Sequence, residues 1–366
     1  MRKIICLGFF FIFLSCENEK IVKKTEYIEI EKSWKEHNEI EYDLKYLLNS
    51  SLLNDNMLII GAENYAIIDS NNNVKNWNLF EYQYSYQRRP HCSDDLVVFF
   101  GDRIDSEIEI RYKKYWSIDK SSAFIDFRQV DSTFLNFASS RYTNYYDYAC
   151  VNNLGQLLIP YISQDKNSQK YLLLDFIKGA PPGSGQLGSA LAISDTLIIE
   201  ISDYADDVFV SSCNNNFITT MRNTVALIYP DGNFKILNDF STVYPPTNIF
   251  KYNNKLYAVC YYYLYESKDN GETWSLKYES GTNISKYIYQ IIDDRIIVFH
   301  NDYIGELAFT DNGFIINEIQ NDGLESNEIT SLIEYNDKIY ATTLSGLFYR
   351  DKDKFFEYKE DTIDNN

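Results

Sequence analysis

The chain is poor in the residues that metal and phosphate chemistry use. Its 366 residues include three histidines, His37, His91 and His300, scattered with no His/Asp spacing of the zinc kind. No Gly-rich loop stands between a strand pattern and a helix pattern, so nucleotide binding has no support and no cofactor or metal is expected. Positive charge is also short: 34 Lys and Arg face 53 Asp and Glu, a formal net charge of −19. Such a surface repels phosphate backbones and anionic lipid, which argues against a nucleic-acid partner. Helical periodicity is almost absent, and that removes α/β architectures such as a TIM barrel. Beyond the N-terminus, no apolar run is long and uncharged enough to cross a membrane.

What is present begins with an export pattern. Arg2 and Lys3 precede an apolar run from Ile4 to Leu14, too short to span a bilayer as a helix. The run ends at Phe13-Leu14-Ser15-Cys16, which resembles a bacterial lipobox with Phe13 in place of the usual Leu. The resemblance implies cleavage before Cys16 and lipidation of that Cys, each acyl CH₂ adding about 0.8 kcal/mol of membrane affinity. Glu17-Asn18-Glu19 follows without an Asp at the next position, as in lipoproteins sent to the outer membrane, and is similar to surface-export signals of Bacteroidota-type bacteria. The expected layout is a signal peptide over 1–15, a lipidated Cys and charged tether over 16–42, and one folded domain over 43–366. A strand at Tyr27–Glu31 could add to that domain.

With 45% hydrophobic and 16% aromatic residues, the bulk of the chain is not disordered. A short signature recurs in it: paired Asn or Asp, then an apolar strand. It appears at Asn54-Asp55-Asn56, Asp94-Asp95, Asn152-Asn153-Leu154-Gly155, Asn214-Asn215-Asn216, Asn253-Asn254, Asp293-Asp294 and Asn336-Asp337. Each is a hairpin signal. The strand starts Met57 and Leu96 are 39 apart, and Phe217, Leu256, Ile296 and Ile339 follow at 39, 40 and 43. A period near 40 with short strands indicates an all-β fold, a β-propeller of four-stranded antiparallel sheets. Seven blades are expected, with six or eight as alternatives. The intervals Leu96–Leu157 and Leu157–Phe217, near 60, do not fit, and Ser194-Asp195-Thr196 is an extra match inside the second. Either two blades carry insertions or a boundary is misplaced; the run Gly179–Gly185 would be an insertion loop.

One unit holds a sharper motif, Ser267-x-Asp269-x-Gly271-x-Thr273-Trp274. Asp269 would tie a turn through its carboxylate, Ser267 and Thr273 through their hydroxyls, Gly271 would supply positive φ, and Trp274 would be buried beneath. These residues resemble the Asp-box, or bacterial neuraminidase repeat, in which the box is a structural turn remote from any active site. The last unit, Asn321–Tyr358, resembles the two-component regulator propeller repeat through Gly323-Leu324-Glu325-Ser326-Asn327 and Thr343-Leu344-Ser345-Gly346-Leu347. Sialidases combine a propeller with Asp-boxes and an early Arg-Ile-Pro, and Arg88-Arg89-Pro90 is similar to it in part, with Arg88 at the motif's Arg. That resemblance implies a glycoside hydrolase using an arginine cluster, to which Arg111, Arg141, Arg222 or Arg295 could contribute; an exposed inter-blade loop is the plainer reading.

Cys92, Cys150 and Cys213 each fall just before a repeated turn, at equivalent points on successive inner strands. Such strands surround a channel and stand too far apart for bridges, so with Cys260 these are expected to be buried thiols. The 32 tyrosines, concentrated at Tyr261-Tyr262-Tyr263 and Tyr142–Tyr146, are good strand residues that can also stack on sugar rings or anchor a protein. The expected role is a binding module taking a glycan or protein ligand at the channel face, with a sialidase-like hydrolase and an envelope scaffold as alternatives. Contact with the membrane would run through the lipid anchor alone. Replacing Cys16 by Ser should move the protein from the membrane pellet to the soluble fraction; unchanged partitioning in detergent-free fractionation would refute the anchor.

Overall fold

The computed structural model describes residues 32–37, 46–62, 64–79, 90–100, 106–116, 122–138, 149–179, 190–203, 205, 208–222, 224–241 and 244–359. The chain divides into Met1–Lys32 and Ser33–Asn366. Cys16 and the strand expected at Tyr27–Glu31 lie outside the described residues, as does Arg88.

The second unit is a β-propeller of seven antiparallel sheets. Strands are lettered a to d within each blade. Blade 1 is Leu47–Leu53, Asn56–Gly61, Asn64–Ile68 and Val74–Leu79; blade 2 is His91–Cys92, Leu96–Phe100, Glu107–Tyr112 and Ser122–Asp126. Blade 4 is Phe209–Cys213, Asn216–Thr220, Val225–Ile228 and Phe234–Leu237. Blade 5 is Asn248–Tyr252, Lys255–Cys260, Tyr263–Ser267 and Ser275–Glu279; blade 6 is Ile288–Ile292, Arg295–His300, Tyr303–Thr310 and Gly313–Glu318. Around most of the ring the a strands of successive blades approach one another, so they surround the axis.

The insertions both belong to blade 3. Its a position is filled by two segments, Phe134–Phe137 and Cys150–Val151, which pair with opposite ends of strand b, Leu157–Ser163. The chain leaves the ladder after Ala138, whose amide bonds Pro160, and rejoins it at Cys150, opposite Leu158. The second insertion lengthens the outer hairpin: strand c is Gln169–Lys178 and strand d is Leu191–Ile201. Ser194-Asp195-Thr196 is therefore no turn. It lies inside strand d, where the register shifts at Asp175.

The buried apolar residues explain why the b strands read as unbroken apolar runs. They group into seven clusters, one at each junction between neighbouring blades among the described residues. In blade 2, Leu96, Val98 and Phe100 pack toward blade 3, while the alternate residues Val97 and Phe99 pack toward blade 1. A strand alternates sides at every residue. A blade covered on both faces therefore wants apolar residues at odd and even positions alike.

Blade 7 is built from both ends of the unit. Ile329–Tyr335, Lys338–Thr343 and Leu347–Asp351 supply a, b and c, and Lys35–Glu36 pairs with Leu347–Asp351 as d. The last residues of the stretch expected to be tether are thus part of the propeller. The Trp34 amide bonds the Asp322 carbonyl at 3.0 Å, and its indole Nε1 bonds the Gln320 carbonyl at 3.2 Å. Its ring is 1% exposed among Ile292, Ile319, Leu324 and Phe355. Gly323, at φ 99, leaves the space that the Trp34 carbonyl occupies; a Cβ there would lie 2.3 Å from that oxygen.

Cys92, Cys150, Cys213 and Cys260 are thiols. Cys92 and Cys150 each lie opposite the second apolar residue of the b strand, whereas Cys213 pairs with Asn216, directly beside its turn. The exact equivalence of all three, expected from sequence, fails: Cys92 lies two residues before its turn pair Asp94-Asp95, and Cys213 lies directly before Asn214-Asn215. Trp34→Ala should cost about 3–5 kcal/mol in urea unfolding, as for other buried tryptophans; a loss below 1 kcal/mol would show that the closing strand holds without its indole.

Candidate functional site

Antiparallel order places the a–b and c–d turns of every blade on one face and the b–c turns and inter-blade connections on the other. The two faces are built from different residues. Among the described residues, ten non-glycine residues of the first face have positive φ, and all are Asn or Asp: Asn54, Asn72, Asn214, Asn253, Asn254, Asn270, Asp293, Asp294, Asn336 and Asp337. These side chains tolerate the left-handed region best. At Asn253-Asn254, Asp293-Asp294 and Asn336-Asp337 both central residues are left-handed, as a two-residue type I′ hairpin requires. On the opposite face the positive-φ residues are Tyr46, Lys166, Tyr261, Asn301 and Ser326.

On the first face, side chains link the a–b turns of blades 2, 3, 4, 6 and 7 to the c–d region of the next blade. Asn214 Nδ2 donates to Asn270 Oδ1 at 2.6 Å, Gln156 Nε2 to the Pro230 carbonyl at 3.0 Å, and Asn336 Nδ2 to the Ser70 carbonyl. Lys178 pairs with Asp95 at 2.9 Å and Lys352 with Asp293 at 3.0 Å. A shallow groove between blades 3 and 4, lined by Asp175, Asp195, Leu197, Pro230 and Asp231, lies at this rim.

The Ser267–Trp274 turn is the c–d turn of blade 5 and belongs to this face. Asp269 Oδ1 accepts the Thr273 amide at 2.9 Å, and Oδ2 accepts the Thr273 hydroxyl at 2.6 Å. Ser267 Oγ donates to Asp269 Oδ1 at 2.9 Å and accepts the Gly271 amide at 3.0 Å. Trp274 Nε1 donates to the Gly271 carbonyl, and the ring is buried beside Phe240, Cys213 and Tyr265. Gly271 (φ 88) approaches Cys213 and Leu227 so closely that a Cβ would lie 3.3 Å from each. The equivalent turn in blade 1 is led by Asp69, whose carboxylate accepts the Asn73 amide four residues on in the same way; in blade 4 the leading position is Tyr229.

The opposite face carries an aromatic ledge on blade 5. Tyr261 and Tyr262 form the two-residue b–c turn between Cys260 and Tyr263. Tyr244, from the connection entering the blade, stacks on Tyr261 with centroids 5.0 Å apart and planes at 12°. Tyr262 meets Tyr261 edge-on at 4.3 Å, and Tyr263 lies 6.2 Å from Tyr244. All four are half-exposed. The backbone beneath them is tied down: the Tyr261 and Tyr262 carbonyls accept the Ile284 and Ser280 amides. Hydrogen bonding with Tyr261 raises the pKa of Tyr262, so its hydroxyl stays neutral well above physiological pH. Tyr261 adopts φ 60, a region that costs a bulky L-residue about 1–2 kcal/mol. The same turn in blade 6 uses Asn301 at φ 53. Tyr46, 63% exposed and at φ 53, begins blade 1 on this face and bonds the b–c turn of blade 7 at Leu344.

The arginines are dispersed. Arg111, Arg222, Arg295 and Arg350 belong to blades 2, 4, 6 and 7. Arg111 pairs with Glu109 at 2.6 Å, Arg295 with Glu306 at 3.1 Å and Arg350 with Glu357 at 2.5 Å. Arg141, like Arg88, lies outside the described residues. At the axis, Ser50 and Ser331 bond each other at 2.6 Å and Gln290 donates to the Leu332 carbonyl. No group of three metal-ligating side chains forms among the described residues.

The fold has solved counterparts. The chain is similar to a streptogramin B lyase structure at 13% identity and TM-score 0.53, over 86% of this chain and 96% of that one. It is similar to a catalytically inactive virginiamycin B lyase from Staphylococcus aureus with quinupristin, at 13% identity and TM-score 0.54, over 87% and 99%. The extracellular domain of a hybrid two component system from B. thetaiotaomicron gives 10% identity and TM-score 0.47, over 87% and 40%. No protein-family model matches the chain, and no curated protein does. At these identities the likeness shows the seven-bladed fold alone.

Sequence reasoning singled out Tyr261-Tyr262-Tyr263 as a run but not Tyr244, which is 17 residues away and reaches the ledge only through the fold. The signal that was available is a Tyr at a turn position that other blades give to Asn. Burial pushes the Asp269 carboxyl up, but the bonds from Thr273 and Ser267 outweigh it and hold its pKa below the ordinary value. Its stabilising effect is thus present above the ordinary Asp pKa near 3.9 and lost as pH falls through the depressed one. Asp269→Ala should cost about 1–2 kcal/mol at pH 7 and less at pH 2–3; equal losses at both pH values would rule out the carboxylate as the tie.

Proposed function

We propose that the protein is an exported, lipid-anchored binding module that takes its ligand on the face carrying the b–c turns. One observation carries this reading: the unequal distribution of left-handed residues. Among the described residues, the first face uses Asn and Asp at all ten such positions, the residues that fold turns at least cost. The opposite face places Tyr46 and Tyr261 there, where the backbone gains nothing from a large ring. Unfavourable backbone conformations concentrate at functional sites, and propeller loops gather at one face for binding.

In this reading the Ser267–Trp274 turn is an Asp-box that closes blade 5 on the face away from the ligand. The lipobox-like Phe13–Cys16 and the Glu17-Asn18-Glu19 that follows point to the outer membrane, with the propeller exposed at the cell surface. A binding role is preferred to a sialidase-like hydrolase because Arg111, Arg295 and Arg350 already serve carboxylates in three different blades. The lyase activity of the similar solved structures calls for its own residues and is not carried over at 13% identity.

Affinity capture from native membranes with the full-length protein tests the choice of face. Tyr46→Ala with Tyr262→Ala should reduce the specifically captured material at least tenfold, whereas Asn336→Ala on the other face should leave it unchanged. The reverse pattern would place binding on the turn face.

A further inference from the structure

We infer that Tyr244, Tyr261 and Tyr262 form a stacking platform for a pyranose ring of a neutral glycan. The inference rests on the reading that the b–c face is the binding face, and names the chemistry of its ligand. The stacked pair Tyr244–Tyr261 presents a flat aromatic surface, and Tyr262 stands almost perpendicular to Tyr261, at 83°, as a wall beside it. A sugar ring offers a matching shape: one face of polarised C–H groups and an edge of hydroxyls. An aromatic face carries negative charge density and attracts such C–H groups.

The surroundings of the ledge suit hydroxyls better than an apolar side chain. Ser280 and Thr282 lie on the loop that bonds the Tyr261 and Tyr262 carbonyls, with their hydroxyls 3.4 Å apart, and Thr282 is exposed. The exposed aliphatic residues nearest in sequence, Leu276 and Ile291, belong to the outermost strand of blade 5 and the innermost of blade 6. A protein hot spot would instead call for an apolar pocket around its anchor. The net charge of −19 disfavours carboxylated or sulfated sugars.

The strained backbone separates a binding role from a structural one. Tyr261 occupies a left-handed turn position for which blade 6 uses Asn301. A residue kept only for the turn would be replaced by Asn with gain; a residue kept for a ligand would not. Tyr261→Asn should therefore raise Tm by about 2 °C or more and at the same time lower glycan affinity at least tenfold.

The test measures the mature full-length protein and its Tyr261→Asn and Tyr262→Ala variants by thermal unfolding and on an array of neutral β-glucan, xylan, mannan and chitin oligosaccharides. Binding by the wild type, lost in both variants while Tyr261→Asn unfolds at higher temperature, supports the inference. Wild-type binding that survives in Tyr261→Asn overturns it, and so does a Tyr261→Asn variant that unfolds at lower temperature, which would make the ring structural. Absence of any array binding also overturns it. If membrane capture is then still lost in the Tyr46→Ala, Tyr262→Ala variant, the choice of face stands and its ligand is a protein.

Discussion

Closure of the ring is the constraint on which everything else rests. A blade of this propeller has two apolar faces and no core of its own, so each sheet is stable only between two neighbours. Around a circle that condition is met everywhere or fails at one seam. Here the seam falls within blade 7, where Lys35–Glu36 joins strands from the other end of the unit. Two residues make a short ladder, and the attachment is reinforced by Trp34, by the Ser33 contacts to Asp322 and by the His37 amide on the Leu347 carbonyl. Gly323 completes the fit because no side chain could stand where the Trp34 carbonyl lies.

The division of labour between the faces follows from that ring. The a–b and c–d turns are the hinges by which each sheet reverses, and at five of the seven junctions their side chains also stitch one blade to the next. Asn and Asp serve both purposes, with left-handed backbone and amide or carboxylate groups within reach of a neighbouring turn. That face is committed to holding the circle together. The other face is also tied together, as by the Ile329 amide on the Asn301 carbonyl, but there the chain places Tyr261 at a left-handed turn position that blade 6 gives to Asn301.

Much of the architecture was legible because its causes are local. Paired Asn and Asp read as hairpins since they adopt positive φ more readily than other side-chain-bearing residues, and runs such as Leu96–Phe100 read as strands covered on both sides. The blade count followed from their spacing. What stayed hidden depends on distant partners. Lys35–Glu36 is too short to announce a strand and becomes one only against Tyr349 and Phe348. The excursion between Ala138 and Cys150 looks like part of an over-long blade until strand b shows both segments on one edge. Ser194-Asp195-Thr196 looked like a turn and is strand, with Ser194 bulged out of the ladder. For the ligand face, the run of three tyrosines was visible and its partner Tyr244 was not, since stacking is a property of the folded ring.

The position of the closing strand has a mechanical meaning. Any load that reaches the propeller through the residues preceding Ser33 enters at the outermost strand of blade 7, at the circumference rather than the axis. Tension there acts first on the bonds to Asp322, on the Trp34 plug and on two ladder pairs, ahead of any other blade. The seam that completes the circle is thus also the element that would yield first under pull. Ser33 to His37, which look in the sequence like the end of a linker, would be the first residues of the propeller to carry such a load.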